Sequence, residues 1–454
     1  MKLTVIGGGG VRSLFLAKSI ANRAKELGIT ELCFMDVDRN KLNIYGGLAR
    51  HVSKMLCEDL TFTLTTDKIE AVKNADYIIT TIREGGDEMR VKDERIALSH
   101  GVLGQETTGA AGFSFAMRSV WALVEYLELS KKYSNKNVKI FNFTNPAGVV
   151  SQTLRDLGYE NTFGICDAPS GMLRQFAEFL NVGAKDVVGE CYGLNHLSFF
   201  NSIKANGKEV LFDLISNDEA YEKTDLRFFD KELLLNEKQV PNEYLYYFYY
   251  REKAIDNILK AKKTRGETIM EINKKMTEEL SSMDIENDFE SCLKVFEKWY
   301  GKRENAYMAS ETGVSRDKEW KFDIYSKDDG GYAGVALKYI EIVNSNKRGD
   351  MILCAKNGGA IKGLKDDDIV EITCTIENGE CVPHKFENVN ELSMELIRRV
   401  KAYERLASQA IREKSKRLAI DALYIHPLVN SYSLAREIAQ EFFELNANYL
   451  QEWR

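Results

Sequence analysis

Apolar residues follow two rhythms along this chain. Short apolar runs at 3–6, 31–35, 60–64, 76–82, 138–143 and 162–165 read as strands, and the stretches between them, such as 11–27 and 39–56, carry the spacing of amphipathic helices. Strand and helix in alternation predict a parallel, doubly wound sheet. Right-handed crossovers then leave ligand space at the carboxyl ends of the strands.

After about residue 170 the pattern changes. Residues 191–205 read as a strand pair leading to a turn at Asn206-Gly207, and 215–305 are charged and poor in glycine and proline, hence mostly helical. Residues 369–375 with the Asn378-Gly379 turn suggest a second hairpin, and 391–417 and 434–450 read as long closing helices. There is no internal repeat, low-complexity linker or heptad array. The expected division is a sheet domain over 1–170 packed closely against a mixed α+β domain over 171–454, the latter catalytic and oligomer-forming.

Composition narrows the class. Hydrophobic residues are 44% of 454, enough for a large core, and the formal net charge of -7 argues against a nucleic-acid partner while leaving a local anion pocket open. Eight cysteines form no Cys-x-x-Cys pair, and several, such as Cys33 and Cys354, sit in strand-like runs; free buried thiols in a reducing cytoplasm are expected. The opening apolar run meets glycines at once and is too short for a signal peptide, and no run approaches the roughly 20 residues of a membrane span. A cytoplasmic protein without a membrane partner is expected.

The first chemical signal is Gly7-Gly8-Gly9-Gly10-Val11-Arg12-Ser13, where a strand runs through glycines into a helix. Glycines let the backbone approach a pyrophosphate, and the helix N-terminus faces the anion. Arg12 occupies the place of the third glycine of the usual fingerprint, so the match is incomplete. Asp36 ends the second strand, where an acid accepts hydrogen bonds from a ribose diol and favours NAD over NADP. These features make the N-terminal part Rossmann-like, with Gly7, Gly8, Gly9, Gly10, Val11, Arg12 and Asp36 as cofactor-binding candidates.

Other candidates lie at predicted strand ends. Arg83 and Arg90 can hold a phosphate by forked hydrogen bonds, or simply pair with Asp87, Asp93 or Glu94. Asn145, before Pro146, can orient a substrate hydroxyl or be only a turn residue. Cys166 and His196 together suit a borderline divalent metal with positions left open for substrate oxygens, although each taken singly reads as a core residue. The aromatic stretch from Pro241 to Tyr250 reads mainly as core or interface, yet one tyrosine with a cation nearby can serve as a base. Arg265 is either an anion ligand or a solvated helix cation.

These blocks, with Gly104-Gln105-Glu106-Thr107-Thr108-Gly109 and Ala422-Leu423 before His426-Pro427-Leu428-Val429, occur in one order over nearly the whole length. In that order the chain resembles glycoside hydrolase family four, the NAD- and metal-dependent glycosidases, an exception to the two-carboxylate rule of sugar hydrolysis. The resemblance implies Cys166 and His196 as ligands of manganese or a similar ion, Tyr244 as the base at C2, and Asp167 as the proton donor. It implies Arg90, Asn145 and Arg265 as contacts of the sugar or its 6-phosphate, with Arg83 and Ser13 as further candidates. The implied reaction is net hydrolysis of 6-phospho-β-glucosides: oxidation at C3, C2 deprotonation, elimination, water addition and re-reduction, with NAD restored each turn. A homodimer or homotetramer is also implied.

Two departures stand out. Gly109-Ala110-Ala111-Gly112 replaces the family's frequent Gly-Pro-Gly-Gly and is expected to alter a loop near the cofactor. Asp167 after the cysteine is the residue usual in members acting on 6-phospho-α-glucosides, whereas the longer blocks look more like the β branch. The β-glucoside is the reading adopted and the α-glucoside the alternative. From a different class, a malate- or lactate-type dehydrogenase shares the glycine turn and substrate arginines, but it needs no metal at Cys166 and His196 and accumulates NADH.

Overall fold

The computed structural model describes residues 1–314, 316–326 and 333–454. The first strands are β1 (Lys2–Ile6), β2 (Glu31–Met35), β3 (Thr61–Thr65), β4 (Tyr77–Thr80), β5 (Lys139–Asn142) and β6 (Thr162–Gly164). They pair in parallel in the order β3-β2-β1-β4-β5-β6, with Ile6 registered on Met35 on one side and Thr80 on the other. All of β1 is buried, because helices cover both faces of a parallel sheet. The strand order reverses direction between β1 and β4, the switch point beside which doubly wound folds place their ligands.

The later strands are β7 (Val187–Leu194), β8 (Leu197–Ala205), β9 (Lys208–Glu209), β10 (Val240–Pro241), β11 (Gly349–Lys356), β12 (Ile369–Glu377) and β13 (Glu380–Pro383). Among the described residues β10, β8, β7 and β9 make a four-stranded antiparallel sheet. By contrast β11, β12 and β13 extend the first sheet to nine strands, joined antiparallel through Cys354 opposite Gly164. The sheet therefore crosses the expected boundary at residue 170, which itself falls inside the helix Ala168–Phe179.

Local differences have physical causes. The helix expected over 39–56 forms with a π-helical turn at Leu42–Gly46. The helix expected over 391–417 ends at Glu413, where Lys414 takes φ 53, and Ser415 caps a new helix, Lys416–Ile425, by accepting from Leu418 N. The last helix, Tyr432–Leu445, stops before 450, and Asn446 turns its side chain inward to Ser114 and Arg118. Cys33, Cys191, Cys292, Cys354 and Cys374 are buried free thiols, as expected. No helix among the described residues is long and apolar enough to cross a membrane.

One large core runs through both halves. A second cluster, including Leu14, Tyr45, Met276, Phe296 and Tyr300, ties the helix after the glycine turn, Ser13–Leu27, to the helices Arg265–Ser281 and Phe289–Asn305. That packing carries residues from the far part of the chain to the mouth of β1.

Candidate functional site

The glycine turn is fixed by its own backbone. Gly7 N and Gly8 N both donate to Met35 O at 2.8 Å, and Gly9 N donates to Asp36 Oδ2 at 2.9 Å. Gly7 has φ +99, and a Cβ there would lie 2.4 Å from Thr81 O, so β1 and β4 meet at their ends only because this residue is glycine. Replacing Gly7 by alanine is expected to cost roughly 2 kcal/mol or more. A lowered denaturation midpoint together with weaker NAD binding checks it.

Asp36 receives Asp38 N and Gly9 N on its two oxygens, each of which keeps a second lone pair. Burial pushes its carboxyl up, against the pull of those two bonds. A glycine cradle beside an acid at the end of β2 fits a dinucleotide: Gly7, Gly9, Gly10, Val11, Arg12 and Asp36 line a single cleft of about 1440 Å³. Gly8 is not among the lining residues; its place is under the turn, where a Cβ would meet Phe34 Cβ at 2.6 Å. Ser13 is likewise below the turn, donating to Gly8 O at 2.6 Å.

The same cleft gathers the rest of the sequence-derived site. Cys166, Asp167, His196 and Tyr244 line it, as do Arg90, Asn145 and Arg265. Cys166 follows β6, and Asp167 is the residue before the helix Ala168–Phe179. His196 sits at φ +61 in the tight turn between β7 and β8, and its ring stacks on Tyr244 at 3.9 Å and 12°.

Burial pushes the Cys166 thiol well up, reinforced by the carboxylates of Glu371 and Asp167, and pushes His196 down to about 3. A neutral imidazole keeps a lone pair for a metal, and a thiol in such surroundings becomes a thiolate when a cation arrives. That donor set fits a borderline divalent ion. Among the described residues no group of three or more His, Cys, Asp or Glu is placed to hold a metal.

Sequence reasoning missed the support for His196. Glu371, buried on β12, accepts from Asn195 Nδ2 at 3.0 Å and Ser198 Oγ at 2.8 Å, gripping the turn on both sides of the histidine. Burial pushes its carboxyl up to about 7. Glu371→Gln turns one acceptor into a donor facing those donors and is expected to weaken manganese binding about 10- to 100-fold, measured by calorimetric titration.

Tyr244 is set by Asn242, whose Oδ1 accepts from Tyr244 N at 3.0 Å. Burial pushes the phenol far up, with Glu243 adding to it and Arg265 pulling back. Neighbouring Tyr246 is buried in the core, the role expected for most of that stretch, while Tyr247 is buried and also lines the cleft. Burial also raises the Asp167 carboxyl, opposed first by Arg12. A carboxyl so placed can carry a proton to donate, and a tyrosine beside a cation can accept one.

The arginine loop is ion-paired, as its plainer reading expects, and it also faces the cleft. Arg90 Nε pairs with Glu94 Oε1 at 2.9 Å and its Nη1 with Glu106 Oε1 at 3.1 Å, while Arg83 pairs with Glu106 and also lines the cleft. Burial alone would raise Glu106, but Arg83 and Arg90 bring its carboxyl down to about 2. Asp93 pairs instead with Arg118. Asn145 Oδ1 accepts weakly from Ala147 N at 3.4 Å. Arg265 donates from Nη1 to Ala306 O at 2.9 Å and lies over the Tyr307 ring. Ala110 and Ala111, the departure in the glycine loop, are buried in the first turn of the helix Ala110–Tyr133 and do not line the cleft.

Comparison with known proteins follows the same outline. The family described as Family 4 glycosyl hydrolase matches residues 2–182, and the Family 4 glycosyl hydrolase C-terminal domain matches residues 191–429. The chain is 30% identical over 462 residues to 6-phospho-beta-glucosidase BglT of Thermotoga maritima, covering 99% of this chain and 100% of that one. It is 26% identical to the maltose-6'-phosphate glucosidase MalH of Clostridium acetobutylicum, covering 99% and 98%. A solved structure of the 6-phospho-beta glucosidase from Thermotoga maritima, holding manganese, NAD+ and glucose-6-phosphate, superposes with a TM-score of 0.81 at 28% identity, covering 99% of both chains.

Proposed function

Since the chain belongs to family 4 of the glycosyl hydrolases, we propose that it hydrolyses 6-phospho-β-glucosides with NAD and a divalent metal, manganese. The observation that carries this reading is the convergence of Cys166, His196, Asp167, Tyr244 and Arg265 on the cleft that the glycine turn opens into. When bound, NAD would supply a hydride acceptor and the metal would supply Lewis acidity. Gly7, Gly9, Gly10, Val11, Arg12 and Asp36 would hold the dinucleotide, with Gly8 shaping the turn beneath it, and Cys166 and His196 would hold the metal.

The chain's own groups do the proton work. Tyr244 takes the proton from C2, and Asp167 delivers one to the departing glycosidic oxygen. Arg265 draws the phenol toward its charged form, and Arg90, Asn145 and Arg265 contact the sugar or its 6-phosphate. Burial of the cleft strengthens each of these contacts.

Residues 1–170 serve as the dinucleotide-binding region and 171–454 as the catalytic and oligomer-forming region, in a cytoplasmic homodimer or homotetramer. The α-glucoside reading rests on one residue, Asp167. Parallel assays with nitrophenyl 6-phospho-β-glucoside and its α-anomer, with NAD and manganese present, test the proposal. Faster nitrophenol release from the β-anomer upholds it. A faster α-anomer moves the chain to the other branch, and NADH building up on hydroxy acids with no nitrophenol release points to the dehydrogenase.

A further inference from the structure

Arg303 belongs to none of the motifs read from sequence, yet it lines the catalytic cleft. It sits in the last turn of the helix Phe289–Asn305, one turn beyond Tyr300, whose ring packs on Phe15 at 4.8 Å. That contact anchors the helix to the one that follows the glycine turn.

The guanidinium is poorly matched by the protein around it. Of its five N–H donors, the only hydrogen bond among the described residues runs from Nη1 to Asn273 Oδ1 at 3.1 Å. Asn273 is held in place by donating from Nδ2 to Asp87 Oδ2 at 2.7 Å. Arg303 Nε is buried without a partner, and among the described residues no carboxylate lies within 4.0 Å of the guanidinium. Burial, with Arg12 and Arg265 nearby, pushes it down to about 10.

The other cleft arginines differ. Arg83 and Arg90 already face Glu106 and Glu94. Arg265, like Arg303, has no carboxylate partner within 4.0 Å among the described residues. A buried cation with unmatched donors beside a second cation is costly unless an anion completes it. The cationic neighbours of Arg303 are first Arg12, at the last position of the glycine turn, which also acts on Asp167, and then Arg265, which also acts on Tyr244, whereas Asp36 marks the adenosine end of that turn.

We propose that Arg303, together with Arg265, receives the phosphate dianion of the substrate and makes the enzyme demand a phosphorylated sugar. This rests on the phosphoglycoside reading above. Arg303 is thus a specificity-determining residue whose fork of donors suits phosphate oxygens.

The test compares wild type, R303M and R303K, each with NAD and manganese, by calorimetric titration with glucose 6-phosphate, glucose and NAD. R303M is expected to lose about 50-fold in affinity for glucose 6-phosphate, with glucose and NAD binding unchanged. R303K recovers part of the loss, since it restores charge without the fork. In turnover, KM for the nitrophenyl phosphoglucoside rises more than kcat falls. NAD binding also reports folding; where R303M does not fold, R303K decides by the same KM rise.

Equal glucose 6-phosphate affinity in wild type and variants overturns the proposal alone, as does a loss confined to NAD. A wild type that does not bind glucose 6-phosphate overturns the phosphoglycoside reading and this proposal with it.

Discussion

Tyr244→Phe is expected to lower kcat on the 6-phosphoglucoside by about 10³-fold, within the range for loss of a general base, while NAD affinity stays within about two-fold. The phenylalanine keeps the ring that stacks on His196 at 3.9 Å, so packing around the histidine survives and only the hydroxyl is lost. Tyr244 lines the cleft, and its backbone is fixed through Asn242 rather than through its own oxygen. A fall in kcat with an unaltered denaturation midpoint marks the hydroxyl as chemical. Steady-state kinetics beside a thermal melt check both parts. An unchanged kcat removes Tyr244 from the proton chemistry.

The second large effect is expected at Cys166. Cys166→Ala removes the soft donor just after β6 and, on the proposed assignment, leaves His196 as the single protein ligand of the pair. Losing the metal withdraws several kcal/mol of charge stabilisation, which corresponds to about 10³-fold or more in rate. Wild type treated with chelator falls to the same level and recovers when manganese returns, whereas the variant does not. Depletion of the free manganese signal by electron paramagnetic resonance measures the binding directly. Wild-type binding by the variant places the metal elsewhere. The thiol is raised by burial, so its replacement by alanine creates no buried charge and the fold is expected to persist.

Much of the architecture is legible in local sequence because its signals are local. The strand 31–35 is a compact apolar run, and the structure forms Glu31–Met35. The glycine turn declares itself by four glycines, of which Gly7 is required by φ +99 and the approach of Thr81. Cys166, His196, Tyr244 and Arg265, which the fold brings to one cleft, could be picked out because each belongs to a short block with its own spacing.

What escaped the sequence depends on distant pairing. β11 and β12 join the parallel sheet through Cys354 opposite Gly164, and no local pattern distinguishes that from a hairpin in a separate domain. Glu371 grips a turn 176 residues away, and Arg303 reaches the cleft only because its helix packs on Phe15. Lys414 in a left-handed conformation ends a helix without the glycine that usually marks such a site. In each case the deciding contact lies outside any window in which periodicity is read.

The most direct measurement is turnover of a 6-phospho-β-glucoside in D2O, with NAD and manganese present, followed by NMR of the glucose 6-phosphate produced. If Tyr244 removes the C2 proton during hydrolysis, the product carries deuterium at C2 and no NADH accumulates. Product with only protium at C2, together with no kinetic isotope effect from a substrate deuterated at C2, contradicts the account, because the glycosidic bond is then broken without deprotonation and the cleft works by direct displacement.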